Sequence, residues 1–176
     1  MNKEKKIQSE LIYKGKLLEL RKDTVSTISG ESSREIIHHP GASVIIPLTS
    51  KNTIIFVKQF RYAINHFLIE LPAGLIEENE SHHFTAQREL REETGFRAVT
   101  LKNIGKLWTA PGFCDEIIHV YVAEGLKYDP LPLDLDEDIE TIELELSEAN
   151  KKIIEGNITD SKTIAALNMF SLLMIN

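Results

Sequence analysis

Four glutamates and an arginine, Glu80, Arg88, Glu89, Glu92 and Glu93, share one short stretch of this chain, and their types and spacing suit the binding of a cation. On a helix, at about 100° per residue, Glu89, Glu92 and Glu93 occupy an arc of about 100°, and Glu93 adjoins the apolar stripe of Ala86 and Leu90. Carboxylates this close repel one another and are protonated or splayed apart unless a positive ion neutralises them. An oxygen-only donor set suits Mg²⁺ or Mn²⁺. Helix composition alone favours a plainer alternative, a surface helix with Glu–Arg pairs such as Arg88 with Glu92. The spacing of the wider segment has to decide.

The elements that must position these groups are legible. Residues 81–94 contain neither Pro nor Gly; Ser81 stands where an N-cap belongs and Gly95 where a C-cap glycine belongs, which predicts a helix. Between residues 6 and 57 short β-type runs, LIYKGKLLEL, REIIHH, ASVIIPL and NTIIFVKQF, are separated by turn residues at Gly15, Ser29-Gly30, Pro40-Gly41 and residues 50–52. NIGKLWTAPG and EIIHVYVAEGL predict two strands joined around Pro111-Gly112, and TIELELS alternates as another, so a large sheet is expected. SEANKKIIEG and DSKTIAALNMFSLLMI each open with a capping residue and carry apolar side chains at helical spacing.

A length of 176 residues suits one domain, with or without an appendage, and 42% hydrophobic with 27% charged residues fits a folded soluble protein better than a disordered chain. The net charge of -7 argues against nucleic acid, so an anionic ligand would need a bound divalent ion to neutralise it. Cys114 is the single cysteine, which excludes an intramolecular disulfide and fits a reducing compartment. With no signal-like or membrane-length apolar stretch, the expected location is the cytoplasm.

Gly74 is followed after five residues by Glu80 and after seven more by Arg88-Glu89-Leu90; one residue on come Glu92-Glu93, then, after one more, Gly95-Phe96. That pattern resembles the Nudix box of the Nudix hydrolase family at every defined position. Nine fixed or class-restricted positions over 23 residues make coincidence a poor explanation and displace the surface-helix alternative. The resemblance implies an α/β fold, a Nudix α/β/α sandwich with a mixed sheet over residues 41–176, preceded by an N-terminal strand region over residues 1–40. It implies metal-dependent hydrolysis of a nucleoside diphosphate linked to another group. Glu89 and Glu93 would be the principal metal ligands, Glu92 a further direct or water-mediated one, Arg88 the group that orients the acids, and the Ala73 carbonyl an additional ligand.

Outside the box, REIIHHPGASVIIPL, VKQFRYA, ELPAG and APGFCDE resemble the ADP-ribose pyrophosphatase branch, and Pro111 stands 16 residues beyond Gly95, a spacing associated with ADP-ribose hydrolysis. The implied reaction yields AMP and ribose 5-phosphate. Arg61, Glu70, Gly112 and Glu116 match substrate-lining positions, and Glu137, in the acidic segment LDLDEDIE, is the expected general base, with Asp136 or Glu140 taking the role if the alignment shifts. The branch also implies a homodimer in which residues 1–40 pack across the partner. The alternatives are the same chemistry on another nucleotide sugar and a non-hydrolysing module that binds ADP-ribose; intact Glu89, Glu92 and Glu93 argue against the second.

His38-His39 and His82-His83 are adjacent pairs whose side chains diverge, so neither resembles a two-histidine metal site. Trp108 is expected to serve core packing, and Cys114 has no matched base for a nucleophilic role.

Overall fold

The structure, a computed structural model, describes residues 2–133 and 137–175, which form two compact units. The first comprises the chain up to Gly41 together with Trp108–Ile117. Its strands β1 (Lys5–Lys14), β2 (Glu19–Thr27) and β3 (Gly30–His38) make an antiparallel meander in that order. The β2–β3 connection is two residues long, and Gly30 takes φ 111° there, a conformation that costs glycine little. β2 escaped the sequence reading because most of ELRKDTVST is polar, although Val25 is buried. Residues 113–115 line up beside β3: the Ile37 N–H donates to the Phe113 carbonyl at 2.7 Å, and the Asp115 N–H to the Ile37 carbonyl at 3.1 Å.

The second unit takes Ala42–Leu107 and the chain from Ile118 onward. In order it carries β4 (Ala42–Pro47), β5 (Thr53–Arg61), a 3₁₀ turn (Tyr62–Ile64), β6 (His66–Glu70), β7 (Ala73–Leu75) and α1 (His82–Thr94). There follow β8 (Phe96–Arg97), β9 (Thr100–Trp108), β10 (Ile117–Glu124), β11 (Lys127–Tyr128), β12 (Ile139–Glu145), α2 (Leu146–Ile154) and α3 (Ser161–Ile175). Instead of one large sheet, these strands divide into sheets ordered β7-β4-β10-β9, β12-β5-β6 and β11-β8. The first is mixed: β4 runs parallel to β10 and antiparallel to β7.

Every residue of β4 is buried, as expected for a strand covered on both faces. Val44 and Ile46 face one cluster, with Val120 and Val122 of β10 and Ala166, Leu167 and Phe170 of α3; Ile45 faces the other, with Tyr121 and with Ala86 and Leu90 of α1. The period of two in β4 therefore sets α1 and α3 on opposite faces of the sheet, which is the helix–sheet–helix sandwich. Each aliphatic side chain so enclosed contributes about 1.5–3 kcal/mol.

α1 has the expected bounds. Ser81 accepts a hydrogen bond from the Phe84 N–H at 3.2 Å, and Gly95, at φ 77°, donates its N–H to the Arg91 carbonyl at 3.1 Å. At the start of α3 Asp160 accepts from the Thr163 N–H at 2.9 Å. α2 begins before the expected Ser147: Glu145 caps the Glu148 N–H while the Glu148 carboxylate reaches back to the Glu145 N–H at 2.9 Å, a reciprocal capping box that closes the last strand directly into the helix. Among the described residues no helix is long and apolar enough to cross a membrane.

Candidate functional site

The buried face of α1 carries Thr85, Ala86, Glu89, Leu90 and Glu93, so two carboxylates are embedded among the residues that dock the helix on the sheet. Glu89 is 8% exposed and Glu93 5%. Arg88 is the hub of this face. Its Nη1 donates to Glu89 at 2.7 Å and to Glu92 at 2.8 Å, its Nε to Glu80 at 3.0 Å, and its Nη2 to Glu80 at 3.1 Å and to the Leu75 carbonyl at 3.0 Å. Thr85 Oγ1 donates to the second oxygen of Glu80 at 2.8 Å. One guanidinium thus ties the loop entering α1 to three acids. Burial works against its charge, but Glu80, Glu89 and Glu92 together outweigh burial and hold Arg88 firmly protonated.

Strand β7 supplies the other wall. The Ala73 N–H donates to Glu93 Oε2 at 2.9 Å, and a Cβ added at Gly74 would overlap the Glu89 carboxylate, so a side chain at this position would have to displace that group. Burial pushes the Glu89 carboxyl up to about 7 despite the pull of Arg88, with Glu92 and Glu137 adding repulsion. Glu93 rises well above the usual range through burial first and the Glu89 charge second, with Glu137 again adding to it. The exposed Glu137 therefore acts electrostatically on both buried acids. Glu140 lies on β12 with the Lys58 Nζ at 3.8 Å, and Asp136 falls outside the described residues.

This donor set fits a hard divalent cation: all its side-chain atoms are carboxylate oxygens, crowded, buried and short of positive charge. Among the described residues, no three acidic, imidazole or thiol groups stand ready at metal-holding geometry. Arg88 engages Glu89 and Glu92, and the Ala73 N–H engages Glu93.

Beside the acids lies a second charged group. Arg61, at the end of β5, donates Nε and Nη2 to the two oxygens of Glu70 on β6, each at 2.7 Å, a bidentate clamp between hydrogen-bonded strands. Glu70 is fully buried, whereas 40% of the Arg61 side chain is accessible. Lys162, in the first turn of α3, also bonds Glu70 Oε2 and lies 3.1 Å from Asp160. Burial raises the Glu70 carboxyl, but the Arg61 hydrogen bonds and the Lys162 charge outweigh it, leaving Glu70 below the ordinary carboxylate value. Arg61 is held protonated chiefly by Glu70, with Glu93 and Asp160 adding to it. Lys162 and Asp160 were absent from the sequence-derived site. The only signal at that place was the capping residue of the helix, and nothing local links it to a strand 92 residues earlier.

Gly112 and Glu116 belong to the first unit. Gly112 lies in the exposed turn after Pro111; Glu116 accepts from Thr109 Oγ1 at 2.7 Å and lies 3.4 Å from His39 Nδ1. His38 Nδ1 meets Asp115 at 2.5 Å, so the His38-His39 pair fastens this loop to the end of β3. His82 bonds the Tyr121 hydroxyl and stacks on His119 with ring centroids 3.8 Å apart. Trp108 is half exposed, contrary to the expected core role: it ends β9, where the chain leaves the sheet.

Residues 37–167 match the model of the NUDIX domain. The chain is 43% identical to a methanol dehydrogenase activator of Bacillus methanolicus and 41% identical to an ADP-ribose pyrophosphatase of Bacillus subtilis, in both cases over 96% of this chain and 93% of the relative. A GDP-mannose pyrophosphatase of Salmonella typhimurium is 30% identical over 92% of this chain and 94% of its own. A crystal structure of an ADP compounds hydrolase superposes with a TM-score of 0.88, covering 99% of this chain and 95% of that one at 20% identity, a likeness of fold.

The Arg61–Glu70–Lys162 cluster generates a stability prediction. Glu70→Gln removes the anion from a buried charge cluster and is expected to cost about 3 kcal/mol at neutral pH. Because the folded-state value of Glu70 lies below 4.5, its contribution is present above that pH and is lost as pH falls through the folded value. Urea unfolding of both proteins should show the deficit near pH 7 and its disappearance well below pH 4.5; a pH-independent difference would contradict the ionic role.

Proposed function

The chain belongs to the Nudix family, and from that premise we propose that it hydrolyses the diphosphate bond of ADP-ribose to give AMP and ribose 5-phosphate. The observation that carries this reading is the pair Glu89 and Glu93, two nearly buried carboxylates on one face of α1, packed against β7 and backed by Arg88. The similarity to an ADP-ribose pyrophosphatase over almost the whole chain supports the substrate. The GDP-mannose pyrophosphatase relatives support a second reading, the same chemistry on another nucleotide sugar, which a substrate panel separates.

In this reading Glu89, Glu93, Glu92 and the Ala73 carbonyl hold divalent cations, Mg²⁺ or Mn²⁺. When bound, these neutralise the diphosphate and make water a better nucleophile. Arg88 keeps Glu89 and Glu92 side by side. Arg61, an accessible cation held by Glu70, binds phosphate oxygens. Glu137 accepts the proton from the attacking water; its influence on both Glu89 and Glu93 supports this role. A chain of charge -7 needs the cations to hold an anionic substrate at all.

Residues 1–40 form the dimerisation region in this reading, and residues 41–176 the catalytic domain. The support is β1, which carries Ile7, Leu11, Ile12 and Tyr13 about half exposed, more apolar surface than a lone edge strand usually shows. The single cysteine suits the cytoplasm.

Product analysis with ADP-ribose should show AMP release that depends on Mg²⁺ or Mn²⁺ and stops in excess EDTA, and Glu93→Gln should lower the rate about 10²-fold or more. Full turnover in EDTA, or a Glu93→Gln variant within threefold of the parent, rejects the metal site. Glu137→Gln should reduce kcat far more than it raises KM, since its interaction develops in the transition state, and higher pH should partly restore the rate. Asp136→Asn and Glu140→Gln assayed alongside identify the base by the largest kcat loss; three near-parental variants refute a catalytic role for the segment. Light scattering should report a dimer of the 20.0 kDa chain, and a fully active monomer at assay concentration ends the dimer proposal.

A further inference from the structure

The first turn of α3 meets the corner between β6 and β7 through two polar contacts, which Asp160 braces from within the helix start. Lys162 bonds Glu70 and Asp160 together, Thr163 Oγ1 accepts from the Leu71 N–H at 2.8 Å, and Asp160 in turn caps the helix at the Thr163 N–H. Glu70, Leu71 and Thr163 are all fully buried, and the Lys162 and Asp160 side chains are only 15% and 13% exposed, so the charges of this joint are largely withdrawn from solvent. Two residues further along the same corner, the Ala73 N–H reaches Glu93. The side of α3 away from its first turn packs Ala166, Leu167 and Phe170 into the apolar core, which gives the joint a rigid base.

Glu70 is shared between two cations. Arg61 takes both its oxygens and Lys162 takes one of them. Without the lysine, Glu70 loses its second cation and the link that ties its Oε2 to the start of α3, and Asp160 loses its ion-pair partner. The carboxylate that holds the Arg61 guanidinium is then free to turn, and the guanidinium turns with it. The lysine is only 15% exposed at its side chain and bonds two acids of the chain itself, so it is built into the joint and is not presented to a ligand.

We propose that Lys162 is a positioning residue for the diphosphate chemistry: by joining Glu70 to Asp160 at the start of α3, it fixes the direction in which Glu70 holds the Arg61 guanidinium. The proposal rests on the reading above that Arg61 binds phosphate oxygens of the substrate. A guanidinium fork recognises phosphate only in a defined orientation, so loss of that orientation weakens a contact made in the ground state and kept in the transition state. Such a loss appears in KM and leaves kcat nearly unchanged.

The test is steady-state kinetics of the full-length Lys162→Met and Lys162→Arg variants on ADP-ribose with Mg²⁺, with thermal melting to establish that each is folded. Lys162→Met should raise KM by about tenfold or more with kcat within about threefold, and Lys162→Arg, which keeps the charge on Glu70 and Asp160, should return KM to within about threefold of the parent. If Lys162→Met does not fold, Lys162→Gln takes its place under the same criteria. An unchanged KM, a loss confined to kcat, or an arginine variant as impaired as the methionine variant overturns the proposal. Failure of the unsubstituted protein to turn over ADP-ribose bears instead on the functional reading; the variants are then compared on whichever nucleotide sugar the panel shows to be hydrolysed.

Discussion

The constraint on which the rest depends is the neutralisation of carboxylates that have been taken out of water. Glu89 and Glu93 lie on the same helix face as Ala86 and Leu90, so the interaction that docks α1 on the sheet also buries two acids. Desolvating a charge costs several kcal/mol unless something nearby compensates. Arg88 compensates in part, through Glu80, Glu89 and Glu92, and the Ala73 N–H in part, through Glu93. What remains is a concentration of negative potential with oxygen donors only. That is a poor arrangement for stability, and it is what the proposed role of these acids in holding hard cations would require.

A second device follows from the same need. Glu70 is buried completely, yet its carboxyl stays in the charged form because Arg61 and Lys162 approach it from two elements far apart in sequence. The two clusters are complementary: one gathers acids around one arginine, the other gathers basic groups around one buried acid. Their neighbourhood is electrostatic as well as spatial, since the Glu93 charge helps keep Arg61 protonated. A cluster of acids beside an anchored guanidinium is the charge pattern on which the proposed binding of a metal-loaded diphosphate rests.

The framework behind both clusters is β4. All six of its residues are buried, and its alternation commits Ile45 to the α1 side and Val44 and Ile46 to the α3 side. α1 with its acids and α3 with Lys162 thereby reach the same sheet from opposite directions. The β6–β7 corner is where the polar ends of these elements converge: Glu70 and Leu71 receive α3, and Ala73 and Gly74 receive the acids of α1.

By itself the sequence determined everything that local spacing can encode. The helix over residues 81–95 was legible because capping and glycine conformations act within a few residues, and the acidic face was legible because helical periodicity assigns Glu89, Glu92 and Glu93 to one arc. The family resemblance also marked Arg61 and Glu70 as belonging to a site, without saying that they bond each other. Only the tertiary structure decided which charges meet. Lys162 and Glu70 are 92 residues apart, and their contact exists because the start of α3 meets the end of β6, where Thr163 also bonds the Leu71 N–H. It likewise separated the strands into several sheets, since which strand pairs with which depends on chain paths and not on the alternation of any one strand. It placed Trp108 half in solvent, where its position in a strand-like segment suggested a core, because burial is decided by what packs opposite a side chain and no local pattern names that partner.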